Sequence, residues 1–347
     1  MLLTPEEIKN QTRQLWRECF DDSEAFTDIY FADKYTDEHN LTVRHNGQVV
    51  AAMQLLPYRL TFYGNVLHAG YVSGLCTLPD HRHRGYATNL LHEAHRRLFR
   101  QGATLSFLIP SNEEMRKFYE RPEHGNYWTS TYRQELPLDV SHDGHFDKIE
   151  VSRPDEWPQE LYVFYHRLTA ELPFMVHPSE PDFFAALEAA DLEDGYVLVA
   201  RRKRRMVGFC LAVKEPNGRV YVRTLAISEP AARAAFVDYL CRTCEVDQVF
   251  RRFGTPGSLK NTTPYAMARV INVPRFLGSI AASNPGFQLH IGVDCDLDIP
   301  ENNGWYRVEQ GKVRLTDLQP PSIVTPGGLA AMFMAAQPMV MDMLLDE

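Results

Sequence analysis

The stretch from Gly70 to Leu98 constrains the fold more than any other. AGYVSGLCTL reads as a strand, PDHRHRGYA as a breaker-rich basic turn, and TNLLHEAHRRL as a helix. Within the turn, Arg82-His83-Arg84-Gly85-Tyr86-Ala87 fits the pattern R-x-x-G-x-A. A helix N-terminus presents unpaired N–H groups and partial positive charge, so this turn is suited to cradle a pyrophosphate. Gly85 lets the backbone approach a phosphate closely, Ala87 is too small to obstruct it, and Arg82 and Arg84 add charge at the same mouth.

A second signal follows in order. ATLSFLIP reads as the next strand, and Asn112 is then followed by Met115 and by Phe118-Tyr119. In these two motifs the chain resembles the GCN5-related N-acetyltransferases (GNAT). Their signature is a strand, R-x-x-G-x-A or R-x-x-G-x-G, a helix, and later N-x-x-A-x-x-F-Y. The resemblance implies acetyl-CoA as co-substrate, its pyrophosphate held by Arg82, His83, Arg84, Gly85, Tyr86, Ala87 and Thr88. The pantetheine arm is expected along the backbone of Leu75, Cys76 and Thr77, with further contacts at Ser111 and Asn112. It also implies Tyr119 as general acid: acetyl transfer to an amine expels a thiolate, which a phenol in reach protonates or stabilises. The alternative for Tyr119 is a ring that only packs against cofactor or core. After it comes ERPEHGNYW in place of the family's short turn and Gly-Phe, so a longer loop is expected.

At 347 residues the chain is longer than one such domain, and length points to two or three. With 44% hydrophobic and 23% charged residues it has ample material for a core. A net charge of −9 disfavours a nucleic-acid partner and mildly attracts a cationic substrate such as an amine. The basic run Arg201 to Arg205, without interleaved aromatic residues, reads as an exposed hairpin turn. MLLTPEEIKNQ has no apolar h-region and no run of 18 apolar residues occurs, so a cytoplasmic protein without a membrane span is expected. The six cysteines form no disulfide framework, and Cys241-Arg242-Thr243-Cys244 sits in an amphipathic helix without a second pair nearby. His92 and His95 are three apart where metalloprotease spacing is four, so they read as solvated helix residues and no metal is expected.

Residues 4–20 and DDSEAFTDIYFADKY read as opening helices. In the acetyltransferase fold these border the acceptor cleft, where aromatics and Asp21, Asp22 or Asp33 would hold an amine; a core stripe with a solvated acidic face is the plainer account. LTVRHNGQVVAAMQLL gives two strands turning at Asn46-Gly47, and a third from Tyr58 to Tyr63 turns at Gly64-Asn65 into the strand ending at Leu78. YRQELP reads as an edge strand before a linker. Beyond it the order of helices, hairpin, long strand and helix repeats, with Ser228-Glu229-Pro230-Ala231-Ala232 at the phosphate-loop position and no R-x-x-G. After TPGSLKNTTP, a strand at Met267, the helix PRFLGSIAAS, a meander with Asn302-Asn303-Gly304 at a hairpin, and a helix from Gly328 to Ala336 look like a small α+β domain.

This order resembles the enhanced-intracellular-survival type acetyltransferases. What it implies is a mixed α+β and α/β fold: two tandem GNAT-like mixed-sheet domains, the second degenerate, then a small sterol-carrier-protein-2-like α+β domain. The segments are 1–137, 148–257 and 262–347. The implied function is acetyl-CoA-dependent N-acetylation of a primary amine on a small molecule or peptide, of aminoglycoside, polyamine or lysine type. By the same resemblance Glu347 would be the base, as the chain's terminal carboxylate, with water or another carboxylate as alternative. Homo-oligomerisation follows by analogy only. The competing reading is a non-catalytic acyl-CoA or lipid-binding module, with Met332, Phe333, Met334, Met339, Met341 and Met343 lining an apolar tunnel or, more ordinarily, packing the last helix.

Overall fold

The computed structural model describes residues 3–254 and 261–345. The chain opens with α1 (Pro5–Cys19), α2 (Glu24–Ile29) prolonged by a π-helical turn over Tyr30–Lys34, β1 (Asn40–His45), β2 (Gln48–Phe62), β3 (Asn65–Thr77), α3 (Tyr86–Arg100), β4 (Leu105–Leu108), α4 (Glu113–Glu120) and β5 (Trp128–Thr129). A middle region holds β6 (Tyr132–Pro137), β7 (Ile149–Ser152), α5 (Glu160–Thr169), β8 (Phe174–His177), α6 (Glu180–Leu192), β9 (Tyr196–Arg202), β10 (Arg205–Lys214), β11 (Val220–Ile227), α7 (Pro230–Cys244) and β12 (Val249–Gly254). The last region holds β13 (Thr263–Pro264), β14 (Met267–Val270), α8 (Val273–Ser283), β15 (Leu289–Val293), β16 (Gly304–Glu309), β17 (Lys312–Leu315), β18 (Ile323–Val324) and α9 (Pro326–Met334).

Local chemistry accounts for several boundaries. Thr4 and Glu7 cap α1 reciprocally, with Pro5 in the first turn. Asn46 (φ 51°) and Gly47 (φ 79°) form the expected two-residue turn between β1 and β2. The next turn is made by Tyr63 (φ 48°) and Gly64 (φ 75°), one residue earlier than expected. The strand expected from Tyr58 is not separate: β2 runs through Pro57, which lies exposed opposite Gly70. Asn302-Asn303-Gly304 is not a hairpin turn either. The Asn302 side chain bonds Ile271 O, Asp296 and the Val273 N–H, holding a 3-10 turn before β16, and the hairpin turns instead at Gln310 (φ 51°) and Gly311 (φ 71°).

Three sheets result. The first has the order β1-β2-β3-β4-β14-β5, with β8 pairing the far half of β2; the second is β13-β6-β12-β11-β10-β9-β7; the third is β17-β16-β15-β18. These sheets cross the expected segments. The edge strand β6 pairs with β12 in the second sheet, while β8 and β14, from later segments, complete the first. In both large sheets a meander leads into a parallel strand pair joined across a helix, β3-α3-β4 and β11-α7-β12.

The last region shares its core with the first sheet. Phe276, Leu277 and Ile280 of α8, with Leu329 and Met334 of α9, pack in one cluster with Tyr58, Phe62, Tyr71 and Phe107. The methionine-rich tail is spread over several cores: Met334, Met339 and Met341 join this cluster, Met343 joins the core of the middle region, and Met332 is exposed. A cavity lined by Met334, Met339 and Met341 measures about 10 Å³, room for roughly one water and no lipid chain. Val340 bridges beside Met175, and Leu345 ends among Trp16, Tyr30, Phe31 and Tyr35. Glu347 lies outside the described residues.

Candidate active site

The parallel strands β3 and β4 are paired only over Ala69–Tyr71 and Leu105–Phe107. Beyond that, β3 continues to Thr77 while β4 ends at Leu108, so Leu75, Cys76 and Thr77 lie on a strand edge that has parted from its neighbour. On the other edge, Ser73 pairs with Gln54 and Cys76 with Ala52, leaving Gly74 and Leu75 as a bulge against Met53. Such a bulge turns the strand and redirects its polar groups. Gly74 takes φ +59° and faces the indole of Trp16, where a Cβ would overlap the ring. Trp16 is fixed in turn by donating Nε1–H to Asp22 at 2.8 Å. Asp22, offered by the sequence as an amine ligand, therefore serves this indole.

The basic turn opens a helix as the pattern requires. Arg82 Nε donates to Thr77 O at 3.2 Å and Arg84 to Asp80 O at 3.0 Å, folding the turn back on the end of β3. His83 (φ 62°) and Gly85 (φ 77°) are both left-handed, and Gly85 precedes the first turn of α3 without any side-chain cap. A Cβ on Gly85 would meet nothing within 4 Å, so the residue faces open space. Tyr86, Ala87 and Thr88 form the first turn, and the Thr88 hydroxyl pairs with His124 Nδ1 at 2.8 Å.

Opposite, Asn112 caps α4, its Oδ1 accepting from Met115 N at 2.9 Å, and Ser111 beside it is exposed. Tyr119 is 9% exposed and packed with Met53, Leu55, Val72 and Leu90. Burial, with Cys76 nearby, raises its pKa well above the ordinary phenol range, so the hydroxyl stays protonated. Among the described residues that hydroxyl makes no hydrogen bond.

Sequence reasoning missed a buried network behind this site. His95 is not a solvated helix residue; it is fully buried, bonding Asp298 Oδ2 through Nδ1 at 2.6 Å and Tyr127 Oη through Nε2 at 2.8 Å. His92 bonds the other oxygen of Asp298. Tyr127 Oη also meets Ser106 Oγ at 2.7 Å, and its ring lies edge-on to Tyr119 with centroids 6.1 Å apart. Arg269, on the inserted strand β14, bonds Asp296 at 2.7 Å, Asp298 at 3.2 Å and Gly125 O at 2.9 Å. Burial, then the neighbouring Arg269 charge, lowers the His95 pKa to about 4, so the ring is neutral: Nδ1–H donates to Asp298 and Nε2 accepts from Tyr127. The long loop after Tyr119 is thus tied at Gly125, and Asn126 Oδ1 accepts the Gly327 N–H at 2.9 Å.

The equivalent helix mouth in the second sheet has no R-x-x-G turn and carries an acid in its place. Glu229 stands at the N-terminus of α7, and its carboxylate is bonded by Arg202 at 2.7 Å and Arg205 at 2.9 Å. A carboxylate at a helix N-terminus interacts favourably with the helix dipole, and here it is also paired with two arginines. The run Arg201 to Arg205 is the hairpin between β9 and β10, turning at Lys203 (φ 58°).

With this geometry in hand, comparisons place the first region. Residues 2–124 match the family model described as an acetyltransferase (GNAT) domain. The chain also resembles solved structures over nearly its whole length. A GCN5-related N-acetyltransferase from Anabaena variabilis has TM-score 0.71 and 16% identity, with 94% of this chain and 87% of that one covered. Eis1 from Mycobacterium abscessus has TM-score 0.71 and 16% identity, with 96% and 88% covered. A GCN5-related N-acetyltransferase from Kribbella flavida has TM-score 0.69 and 18% identity, with 95% and 86% covered. At these identities the likeness is one of fold. No curated protein sequence matches the chain. No helix among the described residues is long and apolar enough to cross a membrane.

Proposed function

We propose that the chain is an acetyl-CoA-dependent N-acetyltransferase acting on a primary amine, with one working site in the first region and a degenerate copy of the same fold in the middle region. The observation that carries this is the combination of a parted β3 edge, an uncapped α3 mouth flanked by Arg82 and Arg84, and a protonated Tyr119. The diphosphate would meet the N–H groups of the Gly85–Thr88 turn, and the pantetheine amides the backbone of Leu75 to Thr77. Ser111 and Asn112, at the start of α4, are the contacts proposed on the opposite wall.

Tyr119 acts as hydrogen-bond donor to the sulfur. As the amine attacks the thioester carbonyl and the C–S bond breaks, charge develops on sulfur, and a preorganised phenol in an apolar pocket stabilises it there. A raised pKa keeps the proton on Tyr119 but makes complete transfer harder, which favours stabilisation over early protonation. The amine must arrive neutral, and Glu347 is the carboxylate proposed to receive its proton. Leu345 packs beside Trp16 and Tyr30, at the bulge of β3, in support of that direction for the tail. The second region, which has Glu229 and no R-x-x-G turn before α7, serves as scaffold. The last region is proposed as the sterol-carrier-like module; its packed methionines weigh against the lipid-binding alternative.

The test is thiol release from acetyl-CoA against a panel of polyamines, aminoglycosides and lysine peptides, with wild type beside Tyr119→Phe. Turnover on some amine, reduced at least about tenfold in kcat by Tyr119→Phe, is expected. Unchanged turnover removes Tyr119's role; no turnover and no acetyl-CoA binding by calorimetry overturns the enzyme reading.

A further inference from the structure

Cys19 ends α1 and Cys76 lies on β3, far apart in sequence but adjacent in space. The Cys19 Sγ lies 3.5 Å from Thr77 O, the carbonyl of the residue after Cys76, and the two side chains share one cluster. Both pack in one small cluster with Leu15, Val50 and Leu78. Cys76 is buried and Cys19 is half-buried. Arg82 of the basic turn stands beside Cys19, and Glu18 is the acidic neighbour. Cys76, with Arg82, brings the Cys19 thiol down to about 7 despite burial, while Cys76 itself is pushed up. By contrast burial pushes Cys210 up to about 12 and raises Cys241. A partly exposed thiolate backed by a second thiol is the arrangement that peroxide-reactive cysteines use.

We propose that Cys19 and Cys76 form a reversible dithiol–disulfide site that, when oxidised by a hydroperoxide, weakens binding at the donor strand. The Cys19 thiolate attacks the outer peroxide oxygen, forming a sulfenic acid; the O–O bond breaks and the other oxygen leaves as water or alcohol after taking a proton. The Cys76 sulfur then attacks the Cys19 sulfur, the S–S bond forms, and the sulfenic hydroxyl leaves with the Cys76 proton as water. The pair loses two electrons and the peroxide gains them; an external dithiol reverses the change. The bond ties the end of α1 to β3 beside Leu75 and Thr77 and removes the thiolate facing Arg82. Its effect on acetyl-CoA rests on the donor site proposed above.

The full chain, freshly reduced, is treated with stoichiometric hydrogen peroxide and read by intact mass and non-reducing peptide mapping, with acetyl-CoA affinity measured by calorimetry before and after. Expected are a loss of about 2 Da, a linked Cys19–Cys76 peptide, reversal by dithiothreitol, and about tenfold weaker acetyl-CoA binding. Cys19→Ser should bind acetyl-CoA like the reduced wild type and keep that affinity after peroxide. Absence of the linked peptide, or its appearance between other cysteines, overturns the proposal. A linked peptide with unchanged affinity overturns its regulatory half. If reduced protein binds no acetyl-CoA, the donor reading and that regulatory half fall together, while the linked peptide still decides the dithiol site.

Discussion

Arg269 Nη1 lies 3.2 Å from Asp298 Oδ2, both side chains buried, and each also reaches the first region, Arg269 at Gly125 O and Asp298 at His95. The arginine enters on β14, between β4 and β5, and its other nitrogen holds Asp296 at 2.7 Å. One guanidinium therefore pairs with two carboxylates from the loop after β15 and also bonds Gly125 O in the loop after Tyr119. Buried charges are tolerated only when paired in this way, and removing one partner leaves the others uncompensated. Arg269→Met should cost about 3–5 kcal/mol in urea unfolding of the full chain. Asp298→Asn, which keeps a hydrogen-bonding side chain, should cost less. A loss below about 1 kcal/mol for Arg269→Met would show that the network contributes little.

The same network sets an acid limit. His95 has a folded pKa of about 4 against an ordinary value of 6.5, because burial and Arg269 oppose its charge. Between those values the unfolded chain takes up a proton that the folded chain refuses, so stability is present above about pH 6.5 and is lost as pH falls towards 4. The loss from this group is about 3 kcal/mol at most. For Asp298, burial opposes ionisation, but the His95 hydrogen bond and the His95 and Arg269 charges outweigh it and hold the carboxyl well below its usual range. Its contribution is present above the ordinary value of 3.8 and is lost at still lower pH. Chemical unfolding at a series of pH values should give a slope between pH 6.5 and 4 that flattens in His95→Gln. An unchanged slope would move the acid sensitivity elsewhere.

Local signals carried the elements whose chemistry is local. Asn46-Gly47, the Thr4–Glu7 cap and the strand–turn–helix around Gly85 are each decided by residues a few positions apart, and each is where the sequence puts it. What the sequence reading lacked was long-range pairing. Nothing near Met267 says that β14 enters the first sheet between β4 and β5, and nothing near His95 names Asp298 as its partner. A signal did exist: Arg269 interrupts an otherwise apolar strand, MARV, and a charged residue there requires buried partners. The departure from the family pattern after Tyr119 was a second clue, since that loop is where Arg269 and α9 dock.

Gly85 allows strain and ligand contact to be separated. At φ +77° an alanine carries a left-handed penalty of about 1–2 kcal/mol. Gly47, at φ +79° and equally open, carries the same penalty at a turn away from the basic mouth. Gly85→Ala and Gly47→Ala should therefore lose similar stability by urea unfolding, while only Gly85→Ala weakens acetyl-CoA in calorimetry. Equal loss of affinity in both would reduce the Gly85 effect to strain.

Gly74 meets two constraints at once. Its φ of +59° disfavours any side chain, and the Trp16 ring occupies the place of a Cβ. Gly74→Ala should cost about 2–5 kcal/mol, from a left-handed penalty of about 1–2 and overpacking of about 1–3. Trp16→Leu alone removes the ring from a cluster with Tyr30 and Phe31 and is destabilising in its own right. In the double variant the clash disappears but the backbone strain remains. The two effects should therefore be less than additive by roughly the overpacking part, about 1–3 kcal/mol in a double-mutant cycle. Additivity within about 0.5 kcal/mol would mean that the indole does not hold the bulge of β3.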